Sequence, residues 1–330
     1  MIRKSIFLVL LTIILADAST TPNLILKGSG ATFPYPLYRK WINVYTAKND
    51  IQILYEPVGS SQGIADLLNN RVDFGATDVF LTESEMNHAK GKILHIPTCI
   101  GAVVLTYNLP VAEPINLSKK TLIAILNGKI KKWNAGLIQE ENPNINLPNT
   151  KIILVHRSDG SGTTYILTRY LSQINNNWKK TYGYGKNIRW ATGIGVEGNK
   201  NMVKYVSKIP GSLGYVSFTY AQREKLPVAR IENEKNKYIL PTVETISKAA
   251  EIKIPEDART HLIATKNINS YPISTFSYII FYKGNTNSRK YKAGKKFFNW
   301  MLKEGQKYNE SLYYAPVPEN VRALISNLLD

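Results

Sequence analysis

The sequence contains little of the side-chain chemistry that metal-dependent or cysteine-dependent enzymes use. Its 330 residues include one cysteine, Cys99, so an internal disulfide is excluded. Cys99 lies in the apolar stretch 96–104, which is typical of a buried packing residue. The four histidines lack the spacing of metal ligands. They are His88, His95, His156 and His261. We therefore expect no metal site, no cofactor and no nucleophilic cysteine.

Long apolar stretches are also absent, apart from one near the start of the chain. Residues 6–15 form an apolar run of about ten residues, whereas a membrane-spanning helix needs roughly 20. Arg3 and Lys4 precede this run, and the small residues of a signal-peptidase site follow it at 16–18. The alternative is a membrane anchor, but the short run favours a cleaved signal peptide over residues 1–18. No lipid-anchoring cysteine stands near its end, so we expect a secreted, periplasmic protein.

Acidic residues are outnumbered by basic ones. The 24 Asp and Glu residues and 42 Lys and Arg residues give a formal net charge of +18. This charge favours an anionic partner, which is nucleic acid, an anionic membrane surface or a small anion. Export argues against nucleic acid. The lysines are spread along the sequence, which is typical of solvated faces.

Short strand-like runs alternate with helical segments along the chain. The predicted strands are 24–27, 51–55, 72–76, 102–107, 152–156, 213–218 and 275–282. The predicted helices are 35–48, 64–70, 121–126, 162–173, 199–208 and 289–303. This alternation favours an α/β fold with mostly parallel sheets.

Four segments, 28–34, 59–63, 73–78 and 157–164, place glycine and hydroxyl residues next to predicted strands and helices. Glycine lets the backbone approach a ligand closely, and a helix start offers free N–H groups and a positive dipole end to an anion. One such segment alone is explained by ordinary caps and turns. Four of them indicate an anion site, especially because one carries Arg157. None has the spacing of a nucleotide P-loop or a dinucleotide fingerprint.

Together these segments resemble the periplasmic phosphate-binding proteins of bacterial phosphate ABC transporters, over about residues 24 to 320. The motifs that carry the resemblance, in family order, are Gly30-Ala31-Thr32-Phe33-Pro34, Gly59-Ser60-Ser61, Asp73-Phe74-Gly75-Ala76 with Asp78, Gly128-Lys129-Ile130-Lys131-Lys132-Trp133, Asp159-Gly160-Ser161-Gly162-Thr163 and Gly211-Ser212-Leu213-Gly214-Tyr215-Val216. The sequence departs from the family at Gln62, where glycine is common. It also departs at Val79 and Phe80, where a small residue and proline are often seen.

The resemblance implies a class II two-lobed binding-protein fold. Two mixed sheets flanked by helices would be joined by two hinge strands, with a ligand cleft between the lobes. Lobe I would comprise 24–107 and 271–330, and lobe II would comprise 108–270. The chain would cross between them near Tyr107-Asn108 and again near Tyr271-Pro272.

The resemblance also implies a function without catalysis. The protein would bind inorganic phosphate with high affinity and deliver it to a permease with two transmembrane subunits and ATPase subunits inside. It would act as a monomer and would not bind nucleic acid. Family ligand contacts carry over to Thr32, Phe33, Ser60, Asp78, Arg157, Ser161, Gly162 and Thr163, with Asp159 supporting Arg157.

The presence of an aspartate at position 78 predicts which oxyanion the site binds. A carboxylate repels an anion unless that anion carries a proton to donate. Phosphate keeps at least one proton near neutral pH, whereas sulfate has none, so Asp78 should select against sulfate. The alternative is an ordinary helix-cap aspartate.

Three other functions compete with this one. A secreted phosphohydrolase would need a metal cluster or an activated nucleophile, and the sequence shows neither. A basic adhesion or nucleic-acid-binding protein would explain the net charge. A binding protein for another oxyanion is the third, and Asp78 argues against fully deprotonated ones.

Overall fold

The computed structural model describes residues 24–284 and 288–329, so the predicted signal peptide 1–18 lies outside the described residues. The strands are β1 (Ile25–Gly30), β2 (Gln52–Glu56), β3 (Phe74–Thr77), β4 (Ile93–Tyr107), β5 (Asn116–Leu117), β6 (Ile153–Arg157), β7 (Ile194–Val196), β8 (Ser212–Ser217), β9 (Arg230–Glu232), β10 (Tyr238–Ile239) and β11 (Ser274–Tyr282). The helices are α1 (Tyr35–Thr46), α2 (Ser60–Leu68), α3 (Glu83–Asn87), α4 (Lys119–Leu126), α5 (Gly136–Glu141), α6 (Gly162–Ile174), α7 (Asn176–Thr181), α8 (Gly198–Lys208), α9 (Phe218–Arg223), α10 (Val243–Ser247), α11 (Arg289–Leu302) and α12 (Glu319–Leu329). Within the described ranges, every helix is too short or too polar to span a bilayer.

The strands form one eight-stranded mixed sheet in the order β2-β1-β3-β11-β4-β8-β6-β7, and a small three-stranded sheet in the order β10-β9-β5. The α/β class is therefore confirmed. Pairing is parallel at both ends of the large sheet but antiparallel in the middle, where β11 lies between β3 and β4. Because β11 comes from a distant part of the chain, the alternation of strands and helices does not indicate in which direction β11 runs relative to its neighbours. The expectation of mostly parallel pairing is wrong for these central strands.

Strand β4 joins what the sequence predicted as two separate sheets. All 15 of its residues are buried. It pairs with β11 as far as Ala102 and with β8 from Val103 onward. The partner changes at this point, and the crossing between lobes that the resemblance implies near Tyr107-Asn108 stays a prediction. Continuous burial hides the change, because an unbroken apolar strand carries no mark of which neighbour it pairs with.

We call β1, β2, β3, β11 and residues 93–102 of β4 the first sheet half, and β6, β7, β8 and residues 103–107 of β4 the second sheet half. In the first half, β1 runs parallel to β3 with Gly30 opposite Ala76. In the second half, β6 runs parallel to β7 with Arg157 opposite Val196. Ligands of open α/β sheets bind beyond the carboxyl ends of such strands. Each half therefore presents its predicted site segments at one edge.

Local sequence explains how these edges are built. Gly30 has φ of 138°, and a Cβ atom there would lie 2.1 Å from the carbonyl oxygen of Ala76, so the position requires glycine. Helix α1 follows Pro34 and buries Leu37, Trp41 and Tyr45, which are spaced four residues apart on one face. Helix α1 therefore packs on the core while its first turn follows the segment that contains Thr32 and Phe33.

Candidate functional site

Asp78 is a buried carboxylate just beyond the end of β3. Its Oδ1 accepts a hydrogen bond from the Ser277 hydroxyl at 3.0 Å. Its Oδ2 lies 3.5 Å from the Ser60 hydroxyl oxygen, which itself accepts from the Asp78 backbone N–H at 3.3 Å. Burial raises the pKa of Asp78 to about 7, although Ser277 and the positive charge of Arg157 act in the opposite direction. Because Oδ2 has only this long contact, it is the acceptor best placed to receive a proton from a ligand.

Arg157 supplies a buried positive charge at the end of β6. Its Nε donates to Asp159 Oδ1 at 2.5 Å, and its Nη2 donates to Asp159 Oδ2. The Arg157 side chain is 1% exposed. Its Nη1 has no hydrogen-bond partner among the described residues. The two-point pair with Asp159 fixes the plane of the guanidinium and leaves Nη1 as an unused, buried donor.

The start of α6 brings the second sheet half against Asp78. A Cβ atom at Gly162 would lie 2.5 Å from Ser60 Oγ and 2.6 Å from Asp78 Oδ2. Only glycine leaves room for this approach. The Thr163 hydroxyl is buried without a partner within 24–284 and 288–329. Gly162 therefore stands beside the carboxylate, and the next residue, Thr163, has an unused buried hydroxyl.

Ser161 caps α6 and has only its hydroxyl left to offer. Its Oγ accepts from the Thr164 backbone N–H at 3.1 Å. Its own backbone N–H donates to the carbonyl oxygen of Lys186 at 2.9 Å. The hydroxyl proton of Ser161 is therefore its remaining donor for a ligand.

Thr32 and Phe33 reach the site from the end of β1. The Thr32 hydroxyl oxygen accepts from the Asn199 side chain at 2.8 Å, and the Thr32 carbonyl accepts from the Tyr220 hydroxyl at 2.9 Å. The ring of Phe33 is fully buried, and its carbonyl accepts from the Tyr314 hydroxyl at 2.6 Å. The Phe33 ring is therefore part of the core, so that residue can meet a ligand only through its backbone.

Contacts between the two sheet halves bring together the segments that carry the predicted site residues. A Cβ atom at Gly59 would lie 2.7 Å from Asp159 Oδ2, which places the start of α2 beside the Arg157 ion pair. The Ser61 N–H donates to the Gly160 carbonyl at 3.0 Å. The Gly198 N–H donates to Asp159 Oδ1 at 3.1 Å and precedes Asn199, which binds Thr32. The site thus combines buried donors from both halves with one carboxylate acceptor.

Comparison with known proteins agrees with this geometry. The PBP superfamily domain matches residues 16–304. The phosphate-binding protein PstS of Pasteurella multocida is 38% identical over 309 residues, which cover 92% of this chain and 89% of that protein. The phosphate-binding protein PstS of Haemophilus influenzae is 37% identical over 308 residues, which cover 92% of this chain and 91% of that protein. The chain belongs to the PstS family. The resemblance predicted from the sequence motifs is confirmed.

A solved structure agrees in fold with this PstS-family chain. It is a high-affinity periplasmic phosphate-binding protein bound with phosphate, and it superposes with a TM-score of 0.74 at 19% identity. The match covers 92% of this chain and 93% of that one. At this identity the likeness shows the fold alone, and it confirms the predicted binding-protein architecture.

Several residues that shape the site of this PstS-family chain escaped the sequence analysis. Ser277 lies within β11, where a buried hydroxyl looks like any other strand residue. Asn199 follows Gly198 at the start of α8, and in the sequence it is only the first residue of the predicted helix 199–208. Lys186 lies in a loop without a recognisable motif, yet its ammonium nitrogen is 2.5 Å from the Oε1 atom of Glu85. The Gly198-Asn199 pair, directly after a short strand, was the one local signal that could have indicated a further turn at the site.

Proposed function

We propose that this chain binds inorganic phosphate between its two sheet halves and delivers it to the permease of a phosphate ABC transporter without chemical change. The observation that carries the proposal is that one site contains both a buried donor and a buried acceptor. The donor is Arg157 Nη1, which has no partner in the described parts of the chain, and the acceptor is Asp78. A tetrahedral anion that still bears a proton satisfies both groups at once. The names of the relatives at 36–38% identity support phosphate as that anion.

The proposed ligands are those expected from the sequence. Arg157 supplies a positive charge, and Asp159 holds the Arg157 guanidinium in place. Hydroxyl groups come from Thr32, Ser60, Ser161 and Thr163. Backbone N–H groups come from Phe33 and Gly162. Asp78 accepts the proton of the anion. A site of this kind has strong, charge-assisted hydrogen bonds once water is excluded from it.

Closure is the proposed working motion. Residues 24–107 with 271–330 would form one lobe and residues 108–270 the other, and the strands that join them would bend to open the cleft. The contacts between the sheet halves at Gly162, Gly160 and Asn199 support this, because each would be broken by opening. The proposed setting is the periplasm, where a monomer would carry phosphate to two transmembrane subunits with ATPase subunits inside.

A phosphohydrolase remains the main alternative. Across the described residues, no group of three or more His, Cys, Asp or Glu side chains is arranged to hold a metal. The only described cysteine, Cys99, is buried, and burial raises the pKa of its thiol far above the usual range. Such a thiol is a poor nucleophile at neutral pH. These observations favour binding over catalysis.

Calorimetric titration with phosphate, arsenate and sulfate tests the proposal. Phosphate and arsenate both keep a proton near neutral pH, so we expect both to bind tightly. At pH 9, where phosphate and arsenate still keep a proton and nearly all Asp78 is ionised, we expect sulfate to bind about 100-fold more weakly, because it leaves Asp78 as an unpaired buried charge. Failure to bind phosphate, or equal binding of sulfate, would contradict the proposal. Chelator-sensitive release of phosphate from a chromogenic ester would favour the phosphohydrolase.

The ion pair between Glu85 and Lys186 should slow the release of phosphate. Glu85 lies in α3, and Lys186 lies in the loop whose carbonyl binds the Ser161 N–H. Burial raises the pKa of Glu85, but hydrogen bonds from Lys186 and Thr82 lower it more, so the carboxylate is ionised at neutral pH. Pairs at this exposure contribute about 1 kcal/mol or less. We therefore expect Glu85→Gln to speed phosphate release several-fold in stopped-flow measurements.

The exposed pair Lys248–Glu251 provides the matched control. Its ammonium and carboxylate are 2.8 Å apart, but both residues lie in one local segment, so the pair does not link the two sheet halves. Glu251→Gln should leave the release rate unchanged. An unchanged rate in Glu85→Gln would show that the Glu85–Lys186 pair does not hold the two segments together during binding.

A further inference from the structure

Asn199 uses all of its polar side-chain atoms inside the protein. Its side chain is fully buried in the first turn of α8. The Nδ2 atom donates to the Thr32 hydroxyl oxygen at 2.8 Å, and the Asn199 backbone N–H donates to the same oxygen at 3.3 Å. The Oδ1 atom accepts from the Ser217 backbone N–H at 2.9 Å. Asn199 is thus fixed by β8 and directs two donors at one hydroxyl of the first sheet half.

These two donors determine what the Thr32 hydroxyl can do. A threonine hydroxyl has one proton and two lone pairs. Both lone pairs of Thr32 Oγ1 face N–H groups of Asn199, so the hydroxyl proton must point away from α8. Without the Asn199 side chain, only the backbone N–H would still face the hydroxyl, and one lone pair would be free to accept a proton from a ligand. With it, the Thr32 hydroxyl can only donate.

We propose that Asn199 is a positioning residue that makes Thr32 an obligate donor to the bound oxyanion. This inference rests on the proposed function. Its consequence is specificity, because Asp78 becomes the acceptor for a ligand proton and Thr32 cannot serve as a second one. Thr32 then offers no acceptor for a second proton on the oxyanion. Asn199 acts through Thr32 and needs no contact with the ligand.

A double-mutant cycle separates this role from simple packing. We expect Asn199→Ala to weaken phosphate binding about 10-fold in the otherwise unchanged protein, which is the loss typical of one hydrogen bond to a charged group. In the Thr32→Val background, which keeps the shape but lacks the hydroxyl, the same substitution should change affinity less than about twofold. Equal losses in both backgrounds would overturn the inference.

Asn199→Asp distinguishes orientation from a mere tie between the sheet halves. The new carboxylate oxygen would accept the Thr32 proton, so the tie would remain while the hydroxyl would point away from the ligand. We expect this variant to bind phosphate more weakly than Asn199→Ala. The effect of the added negative charge on phosphate affinity is measured separately by repeating the titration in the Thr32→Val background. An excess loss of about 10-fold with the hydroxyl present supports the inference, and an excess below twofold overturns it.

Two controls complete the experiment. Asn201 is exposed on the same helix, and Asn201→Ala should leave phosphate affinity unchanged. Melting temperatures of all variants show that each is folded, and Asn199→Asp provides a nearly isosteric variant if Asn199→Ala unfolds. Loss of phosphate binding by the unsubstituted protein would overturn the proposed function together with this inference. If the unsubstituted protein binds phosphate and the effects of the Asn199 and Thr32 substitutions are additive, only the proposed role of Asn199 is overturned.

Discussion

Arg157→Ala is expected to weaken phosphate binding by about 1,000-fold. The guanidinium is almost completely buried, and its Nη1 has no partner within the described chain. Removing one member of a buried charge pair costs about 3–5 kcal/mol, and 4 kcal/mol corresponds to about three orders of magnitude in affinity. Isothermal titration with phosphate measures the loss. Near-normal affinity would overturn the assignment of Arg157 as the charged ligand.

The partner of Arg157 complicates this substitution, and a second variant resolves the complication. Arg157→Ala leaves Asp159 as a partly buried carboxylate without its strongest partner, which alone would repel an anion. Combining Arg157→Ala with Asp159→Asn removes that charge. Affinity should recover only in small part, because the donor is still missing.

Arg169 provides a matched control on the adjacent helix. It is partly buried in α6, and its guanidinium lies 5.1 Å from the ring centre of Tyr184. Arg169→Ala removes the same charge from the same half of the sheet without removing a predicted ligand. We expect affinity to change by less than about threefold, since a distant and partly exposed charge is screened by solvent.

The segments that build the site could be predicted because each has a local physical cause. Gly30 and Gly162 are required by close approach, and Ser161 has the chemistry of a helix cap. Asp159 stands two residues from Arg157, which is close enough to suggest the pair. Periodicity likewise predicted the positions of helices such as α1 and α11, whose buried faces repeat at helical spacing.

The remaining features depend on contacts between distant parts of the chain. The bond from Ser277 to Asp78 spans 199 residues, and the pair of Glu85 and Lys186 spans 101 residues. No local pattern encodes such a contact. The insertion of β11 between β3 and β4 is of the same kind, and so is the partner change within β4. Long-range pairing is decided by which strand buries its faces best, which a short window of sequence does not contain.

Asp78→Asn should narrow the difference between phosphate and sulfate affinity by about 100-fold at pH 9, where only about one Asp78 in a hundred is protonated. In the unsubstituted protein an ionised Asp78 faces the anion, and a sulfate would place acceptor against acceptor with an unpaired buried charge. The asparagine amide can instead donate to a sulfate oxygen, while its carbonyl still accepts a phosphate proton. We therefore expect sulfate to gain affinity and phosphate to lose a smaller amount.

Asp73 supplies the control for this substitution. It lies in the same sequence segment as Asp78 but near the other end of β3, where it accepts from the Lys27 backbone N–H and pairs with Lys290. Asp73→Asn should leave the ratio of phosphate to sulfate affinity unchanged. Unchanged discrimination in Asp78→Asn would assign Asp78 to a structural role.

The pH dependence of sulfate binding tests the same carboxylate without any substitution. Burial raises the pKa of Asp78 from its ordinary value of 3.8 to about 7, so the neutral acid is populated at pH values where most aspartates are ionised. Above pH 7 the carboxylate rejects sulfate, and below it the protonated oxygen donates a hydrogen bond instead. Sulfate affinity should therefore rise up to about tenfold for each unit that the pH falls from 9 to 7, and it should level off below pH 7, where most of Asp78 is already protonated. In Asp78→Asn the group cannot ionise, and sulfate affinity should be flat between pH 9 and pH 5.5. A flat profile between pH 9 and pH 7 in the unsubstituted protein would mean that Asp78 does not face the anion, since no carboxylate in contact with sulfate could change its charge without changing affinity.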